Sequence, residues 1–434
     1  MPRPLVPGGW WMSSADQQVL RGWADAGLVA LTGPAAGPPQ VGPGDPAGQI
    51  VEGLRRIAEA GRQRTGRVPG LPGVGLLAER AALLGLGRRA PLSVGGAFRA
   101  VATTDGHLGL SLARPSDREL IPALVESDLA AGREGAEIWE AIADWARDLP
   151  AREAVERARL LGLPASEIPA VEEVTPPPPP PPPAEAVPAG GAAPVRERPL
   201  VVDLSALWAG PLCSDLLRRT GARVVKVESA ARPDGARRGE GAFFDLVNEG
   251  KQMVALDFAS ARDRGRLAEL IARADLVIEA SRPRALRALG VDADEVVAAG
   301  TRWLSITARG RDSDAVGFGD DVAVDAGLFV RDRDQTPAPI GDAIADPLTG
   351  VAAAALAAEA LLEERATMMA VSMWATARAA RDRCPVPPEH EVVADGAGWS
   401  LRTPGGRLPV ASPRARRAFR SAGGLGADTR EVLG

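Results

Sequence analysis

Tyrosine is absent from this 434-residue chain, and lysine, histidine and cysteine occur only twice each. Cys213 and Cys384 are too few for a disulfide framework or a cysteine metal site. With His107 and His390 as the complete histidine set, zinc catalysis and histidine-based triads are poorly supplied, and no metal ligands are assigned. The chain lacks a run of about 18 apolar residues and an N-terminal charged-then-apolar leader, so the expectation is a cytoplasmic protein with no membrane partner. A net charge of −5 gives no reason to expect nucleic acid or an anionic membrane surface. Lysine is scarce while Ala, Gly, Pro and Arg abound, a pattern of GC-biased coding, so arginine abundance alone is discounted as a phosphate-binding signal.

What is present is ordinary for a folded protein: 45% apolar and 25% charged residues, with length for two or three domains. The clearest boundary lies at 175–199, where eight prolines (176–183) lead into AEAVPAGGAAPVRER. Oligoproline extends by roughly 3.1 Å per residue, giving a semi-rigid spacer of about 25 Å; a ligand for a proline-binding domain is the other reading. The expected division is an N-terminal α+β module at 1–172, a Pro-rich linker at 173–199 and an α/β domain at 200–434.

Before the linker, helices are predicted over 17–31, 50–60, 138–149 and 152–161. The runs 98–103 and 107–112 flank Thr104-Asp105-Gly106 and read as a β-hairpin, Asp-Gly supplying the positive φ of a tight turn. After the linker, strands are predicted at 200–204, 224–228, 253–257, 276–280 and 303–307, alternating with helices at 211–220, 260–273 and 292–299. Such alternation implies a Rossmann-like, doubly wound parallel sheet beside a smaller α+β domain. A long Ala/Leu-rich helix at 348–364, a second apolar helix around 368–380 and a hairpin at 399–402 and 407–410 complete the reading.

The first of these units is the most informative. The apolar run 200–204 reaches a small-residue turn at Ala209, Gly210 and Pro211, then a helix and a second strand ending in Glu228. Parallel strands need such a crossover. Small residues let a ligand approach the backbone at the strand's carboxyl end, where open α/β sheets bind ligands. The halves also share a thin internal repeat. Asp25-Ala-Gly-Leu recurs as Asp325-Ala-Gly-Leu, and Asp45-Pro46 as Asp346-Pro347.

The second half resembles the family III CoA-transferases and the related acyl-CoA racemases. The resemblance rests on DLSxxxAGP at 203–211, LLRRTGARVVKVE at 216–228, FFDLVNEGKQMVALD at 243–257, RADLVIEASRP at 273–283, LSIT at 304–307, IADPLTG at 344–350 and LGADTREVL at 425–433. The first half resembles pieces of the same family that usually come later, at 24–39 and 98–110, which implies a rearranged or fused chain. The resemblance implies an interlocked homodimer with no tightly bound cofactor, and with an acyl-CoA and a small carboxylic acid as its partners.

It also implies a nucleophilic aspartate, which splits one difficult exchange into easier acyl transfers. Asp321, in Gly319-Asp320-Asp321, matches that position, with Asp320 where the family has an aromatic residue. Adjacent aspartates are also common in surface loops. By the same resemblance coenzyme A lies against Ala209, Gly210 and Pro211, with Arg282 near its phosphates. Trp208 either flanks the adenine or packs, and Arg309 is either a phosphate ligand or a solvated loop charge. Lys226 and Lys251 read as structural or solvent-facing, and Asn248 as a turn cap.

Three functions follow. The first is CoA transfer from an acyl-CoA to a carboxylic acid through an aspartyl anhydride and aspartyl-CoA thioester. The second is a catalytically degenerate CoA-binding or assembly protein, suggested by Gly-Asp-Asp, by Ala280-Ser281 before Arg282 and by Ala308-Arg309-Gly310. The third, a 2-methylacyl-CoA racemase, lacks a histidine near Asp321. A dinucleotide-dependent oxidoreductase is disfavoured, because no GxGxxG follows the first strand.

Overall fold

Six parallel strands and one antiparallel edge strand form the largest sheet, in the spatial order Ala184–Ala192, Arg365–Ser372, Arg302–Thr307, Leu276–Glu279, Leu200–Asp203, Arg223–Ser229 and Gln252–Leu256. The computed structural model describes residues 13–128, 132–170, 184–238, 241–281 and 283–434. The protein is a mixed α/β structure built on this sheet.

The central parallel strands are mostly apolar runs because both faces of the sheet are covered there, whereas the edge strand Ala184–Ala192 is largely exposed. Val201, Leu276, Ile278, Leu304 and Ile306 enter one buried cluster, while Val202, Val225, Val277 and Trp303 enter another. All five strands predicted between 200 and 307 form, each within a residue or two of its expected bounds. The three helices predicted with them form at Ala209–Arg219, Ala261–Ala272 and Ala293–Ala298.

The apolar segment around 368–380 differs from expectation. Arg365–Ser372 is a strand, paired in parallel with Arg302–Thr307, and the helix begins only at Met373. A short apolar run does not distinguish a buried strand from a buried helix by periodicity. Here an open sheet edge takes the segment. The linker expectation also changes: Ala184–Ala192 is an edge strand, antiparallel to Arg365–Ser372, while the prolines at 176–183 lie outside the described residues.

Residues before the linker divide between two environments. The predicted hairpin forms as Phe98–Ala102 and Gly106–Ser111, and an unpredicted strand, Ala165–Pro169, makes it a three-stranded sheet. With the helices Gly135–Ala146 and Ala151–Leu160 it encloses its own core around Leu108, Ile142 and Val155. The helices Ser14–Asp25 and Pro46–Thr65 instead bury Trp23, Ile50 and Ile57 in the core that contains Leu212 and Leu348. The 1–172 segment is therefore not one packing unit.

At the centre lies Ala345–Ala360, a helix with twelve buried residues and apolar on every side, as a core helix must be. Pro46–Thr65 and Ala209–Arg219 pack against it. The approach is close: a Cβ on Gly53 would stand 2.5 Å from Val351, and one on Gly350 would stand 2.7 Å from the Ala209 carbonyl oxygen.

Candidate functional site

Ala209, Gly210 and Pro211 do not form an open turn. They are the first turn of the helix Ala209–Arg219, and all three are buried, with Trp208 just before them. Proline suits that position because its missing N–H would find no partner inside the helix. Trp208 packs edge-on to Phe243 at 5.1 Å, and the Arg80 guanidinium lies 5.0 Å from its ring centre. Of the two readings of Trp208, packing is the one the structure displays.

The short helix Gly319–Asp325 carries both adjacent aspartates into the interior. Asp321 is 3% exposed. Its Oδ1 accepts hydrogen bonds from the Phe318 backbone N–H at 3.0 Å and from Ser111 Oγ–H at 2.8 Å. The first is a capping interaction, satisfying a donor that a helix start leaves free. The second reaches across from the three-stranded sheet. Burial pushes the Asp321 carboxyl up to about 7, against the opposing pull of those two donors, with Asp320 adding repulsion.

Asp320 points elsewhere. It accepts from the Ala343 N–H at 3.0 Å and sits with Asp342 and Asp346 around Arg80. Arg80 grips Asp342 with both arms of its fork, Nε lying 2.9 Å from Oδ2. Burial, then Asp342, pushes the Asp320 carboxyl up to about 6. Asp346 is the least buried of the four aspartates, yet its carboxyl is pushed up to about 7, first by desolvation and then by its acidic neighbours. The Ala209 N–H partly offsets that push, so Asp346 serves the helix N-terminus that a ligand was expected to use. Gly319 allows this packing: a Cβ there would lie 2.3 Å from Asp346 Oδ2.

Two cavities flank the loop at 309–314. One, of about 440 Å3, is walled by Arg114, Asp117, Arg159, Gly162 and Asp314. The other, of about 510 Å3, is walled by Arg309, Arg311, Ser313, Met368 and Ser372. It opens at the carboxyl ends of Arg302–Thr307 and Arg365–Ser372, the ligand-binding end of a parallel sheet. Arg309 donates to Asp325 at 2.5 Å, and Arg159 lies 3.7 Å from the same carboxylate. Arg309 is thus neither a freely solvated loop charge nor free of a partner. Arg282 lies outside the described residues.

Both lysines are structural. Lys226 is fully buried, 2.9 Å from Asp234 and donating to the Ser205 carbonyl at 2.8 Å. Lys251 Nζ lies 3.2 Å from Asp203 Oδ2 and donates to Ser214 Oγ, Asn248 Oδ1 and the Pro211 carbonyl. Burial pulls Lys251 down to about 8, and the two lysines hold Asp203 down at about 2 against its own desolvation. Asn248 therefore helps to satisfy a buried ammonium rather than only capping a turn.

The sequence offered no signal for Ser111 or Arg80, because neither stands in a recognisable motif. Asp342 had one weak signal, an acid inside the apolar stretch 338–348, whereas Asp346 stood in the IADPLTG motif and in the Asp-Pro repeat without a role assigned to it. Among the described residues no group of His, Cys, Asp and Glu side chains is arranged to hold a metal, and no helix is long and apolar enough to cross a membrane.

Residues 199–378 match the model of CoA-transferase family III. An acyl-CoA transferase of Fusarium pseudograminearum is 28% identical over 173 residues, 35% of this chain and 38% of that protein. A succinyl-CoA:mesaconate CoA-transferase of Haloarcula hispanica is 39% identical over 89 residues, 18% and 22% of the two chains. An acetyl-CoA:oxalate CoA-transferase of Acetobacter aceti is 28% identical over 117 residues, 26% and 30%. The chain thus spans less than half the length of these curated relatives. Among solved structures, a hypothetical protein from Mycobacterium tuberculosis aligns with a TM-score of 0.44 at 24% identity over 49% of this chain and 65% of that one. A CAIB/BAIF family protein from Brucella suis gives 0.42 at 23% over 49% and 66%. The similarity to CoA-transferase family III thus lies in residues 199–378, about two fifths of the chain, and the relatives that match there are named CoA-transferases.

Proposed function

We propose that this protein moves coenzyme A from an acyl-CoA to a carboxylic acid, with Asp321 as the group that is acylated. The observation that carries this reading is the placement of Asp321. It is held by Ser111 and the Phe318 N–H, with a carboxyl near 7, on a helix whose Asp325 pairs with Arg309 of the loop between two arginine-walled cavities. The strand order also supports it, running outward in both directions from Leu200–Asp203 as in a Rossmann-like sheet.

In this reading the ionised Asp321 attacks the thioester carbonyl, forming an acyl–aspartyl anhydride and expelling the CoA thiolate. The thiolate then attacks the aspartyl carbonyl, releasing the donor acid and leaving an aspartyl-CoA thioester. The acceptor carboxylate repeats the two steps in reverse, and Asp321 returns as a free carboxylate. Arg309 and Arg311 are the cations placed to meet CoA phosphates in the larger flanking cavity, and Arg114 and Arg159 those placed to meet an acid in the other.

A second reading has a specific observation in its favour. Asp321 is buried and caps its own helix, and Asp346 occupies the helix start at Ala209, as in a protein that keeps the fold without turnover. One experiment separates the two. The protein is incubated with succinyl-CoA, acetyl-CoA and formyl-CoA, quenched with hydroxylamine and mapped by mass spectrometry. A hydroxamate at Asp321, absent in Asp321→Asn, supports transfer. CoA binding with no adduct and no exchange supports the inactive homologue.

A further inference from the structure

A third cavity, of about 750 Å3, lies at the other end of the sheet. It opens at the amino ends of Leu200–Asp203, Arg223–Ser229 and Gln252–Leu256, lined by Glu197, Arg198, Arg223, Val224, Gly250 and Gln252 among others. Since Arg223–Ser229 has seven residues, the sheet separates this cavity from its carboxyl-end counterparts by roughly 20 Å. It is therefore distinct from the site proposed for CoA transfer.

Its charge is one-sided. Arg67, Arg198, Arg218, Arg219 and Arg223 face it, with Glu197 as the acidic residue of its wall. Arg218 and Arg219 are partly neutralised from behind by Asp215, at 2.7 and 2.9 Å, and more distantly by Glu249. Arg67, Arg198 and Arg223 form no ion pair among the described residues. Arg223 donates to Gln252 Oε1, which leaves its two terminal nitrogens for a ligand, while Gln252 itself donates to Glu431. Behind the wall Arg64 spends one terminal nitrogen on Thr220, a lining residue, and its buried Nε and second terminal nitrogen have no acceptor among the described residues. Arg420 lies beside Gly250.

Abundant arginine on an open surface is a poor signal in this composition. A concave site lined by five arginines, three of them without an ion pair among the described residues, is a different matter. Guanidinium forks match phosphate oxygens two at a time. We propose that this cavity binds a small molecule bearing a diphosphate group, free or as part of a nucleoside diphosphate. The cavity is of a size to hold a nucleotide, and its concavity favours a small ligand over an extended surface.

The test is calorimetric titration of the full chain with inorganic pyrophosphate and with ADP. It is run on the wild type, on R309A/R311A and on R67A/R198A/R223A, each first checked for folding by circular dichroism. One saturable pyrophosphate site that survives in R309A/R311A, and weakens at least about tenfold in R67A/R198A/R223A, supports the proposal. Tighter binding of ADP identifies a nucleoside diphosphate as the occupant, and equal binding the diphosphate alone. Absence of saturable binding in the wild type at millimolar pyrophosphate overturns the proposal. So does unchanged binding in R67A/R198A/R223A, or loss only in R309A/R311A. The hydroxylamine experiment is unaffected by any of these outcomes.

Discussion

Ser111 Oγ lies 2.8 Å from Asp321 Oδ1, although 210 positions separate the two residues. The contact joins the hairpin strand Gly106–Ser111 to the helix Gly319–Asp325, so the environment of the candidate nucleophile is shared between the two halves of the chain. A hydroxyl donor stabilises a carboxylate more than a carboxylic acid, and here it works against burial. Ser111→Ala removes it and raises the Asp321 pKa above about 7. A hydrogen bond to a charged group is worth about 1.5–3 kcal/mol, hence a shift of about one unit or more. Asp321 must be ionised to attack, so the pH midpoint of its hydroxylamine-trapped acylation moves upward by that amount. An unmoved midpoint would mean that Ser111 has no electrostatic hold on Asp321.

Local signals made much of the fold legible, and long-range contacts made the rest illegible. The strands around Val201, Val225 and Val277 are short apolar runs ending at turn residues, which any chain must pair and cover. The internal repeat was legible for the same reason. In both Asp-Ala-Gly-Leu copies a helix ends at the aspartate, the glycine has positive φ (75° at Gly27, 88° at Gly327) and the leucine is fully buried. Arg365–Ser372 was misread because its state depends on a vacant place beside Arg302–Thr307, not on its own periodicity. For the candidate site, Asp321 was nameable from its motif. Arg80 and Ser111 reach it only through the tertiary fold, and no spacing rule connects residues so far apart. The small-residue turn at Ala209 was legible as a special place but not as a buried helix start, because Asp346 and Gly350 bring that burial from elsewhere.

Three carboxyls with raised pKa values give stability an unusual pH slope. Asp320, Asp321 and Asp346 titrate near 6, 7 and 7 in the fold, and near 4 when unfolded. Between about pH 4 and 7 the folded state therefore holds more protons than the unfolded one. Their stabilising contribution is complete below about 4 and is lost as pH rises through about 7. The melting temperature is expected to be higher at pH 5 than at pH 8, with a shallower slope in Asp346→Asn. A flat or rising profile from pH 5 to 8 would contradict the buried cluster. Asp203, held at about 2, acts oppositely, and its contribution disappears only as pH falls below about 4.

The Lys251–Asp203 pair anchors the first strand to the helix that follows it. Lys251 is fully buried with four oxygen partners, one of them the Pro211 carbonyl in the first turn of that helix. Removing one ion of a buried pair leaves the other uncompensated, at a cost of about 3–5 kcal/mol. Lys251→Met is expected to lose about that much in urea unfolding at pH 7. The loss shrinks toward pH 3, because Asp203 without its lysine partner takes up a proton instead. A loss that is equally large at both pH values would point to packing rather than charge.

Arg80 offers the sharpest separation of charge from packing. Its fork holds Asp342, which is fully buried, and its field also lowers the pKa of Asp320 and Asp346. Arg80→Met keeps an apolar stem but removes the guanidinium that lies over Trp208 and leaves three clustered carboxyls without a cation. The expected cost is about 3–5 kcal/mol at pH 7. The carboxyls can escape by protonation, so the deficit is smaller at pH 5, and the stability of the variant falls more steeply with rising pH than that of the wild type. Adding Asp342→Leu removes the most buried of the orphaned charges. Because replacing a buried pair by apolar residues is often nearly neutral, the double variant Arg80→Met/Asp342→Leu is expected to recover more than half of the loss. If it is no more stable than Arg80→Met alone, Arg80 supports the interior through its contacts with Trp208 rather than through Asp342.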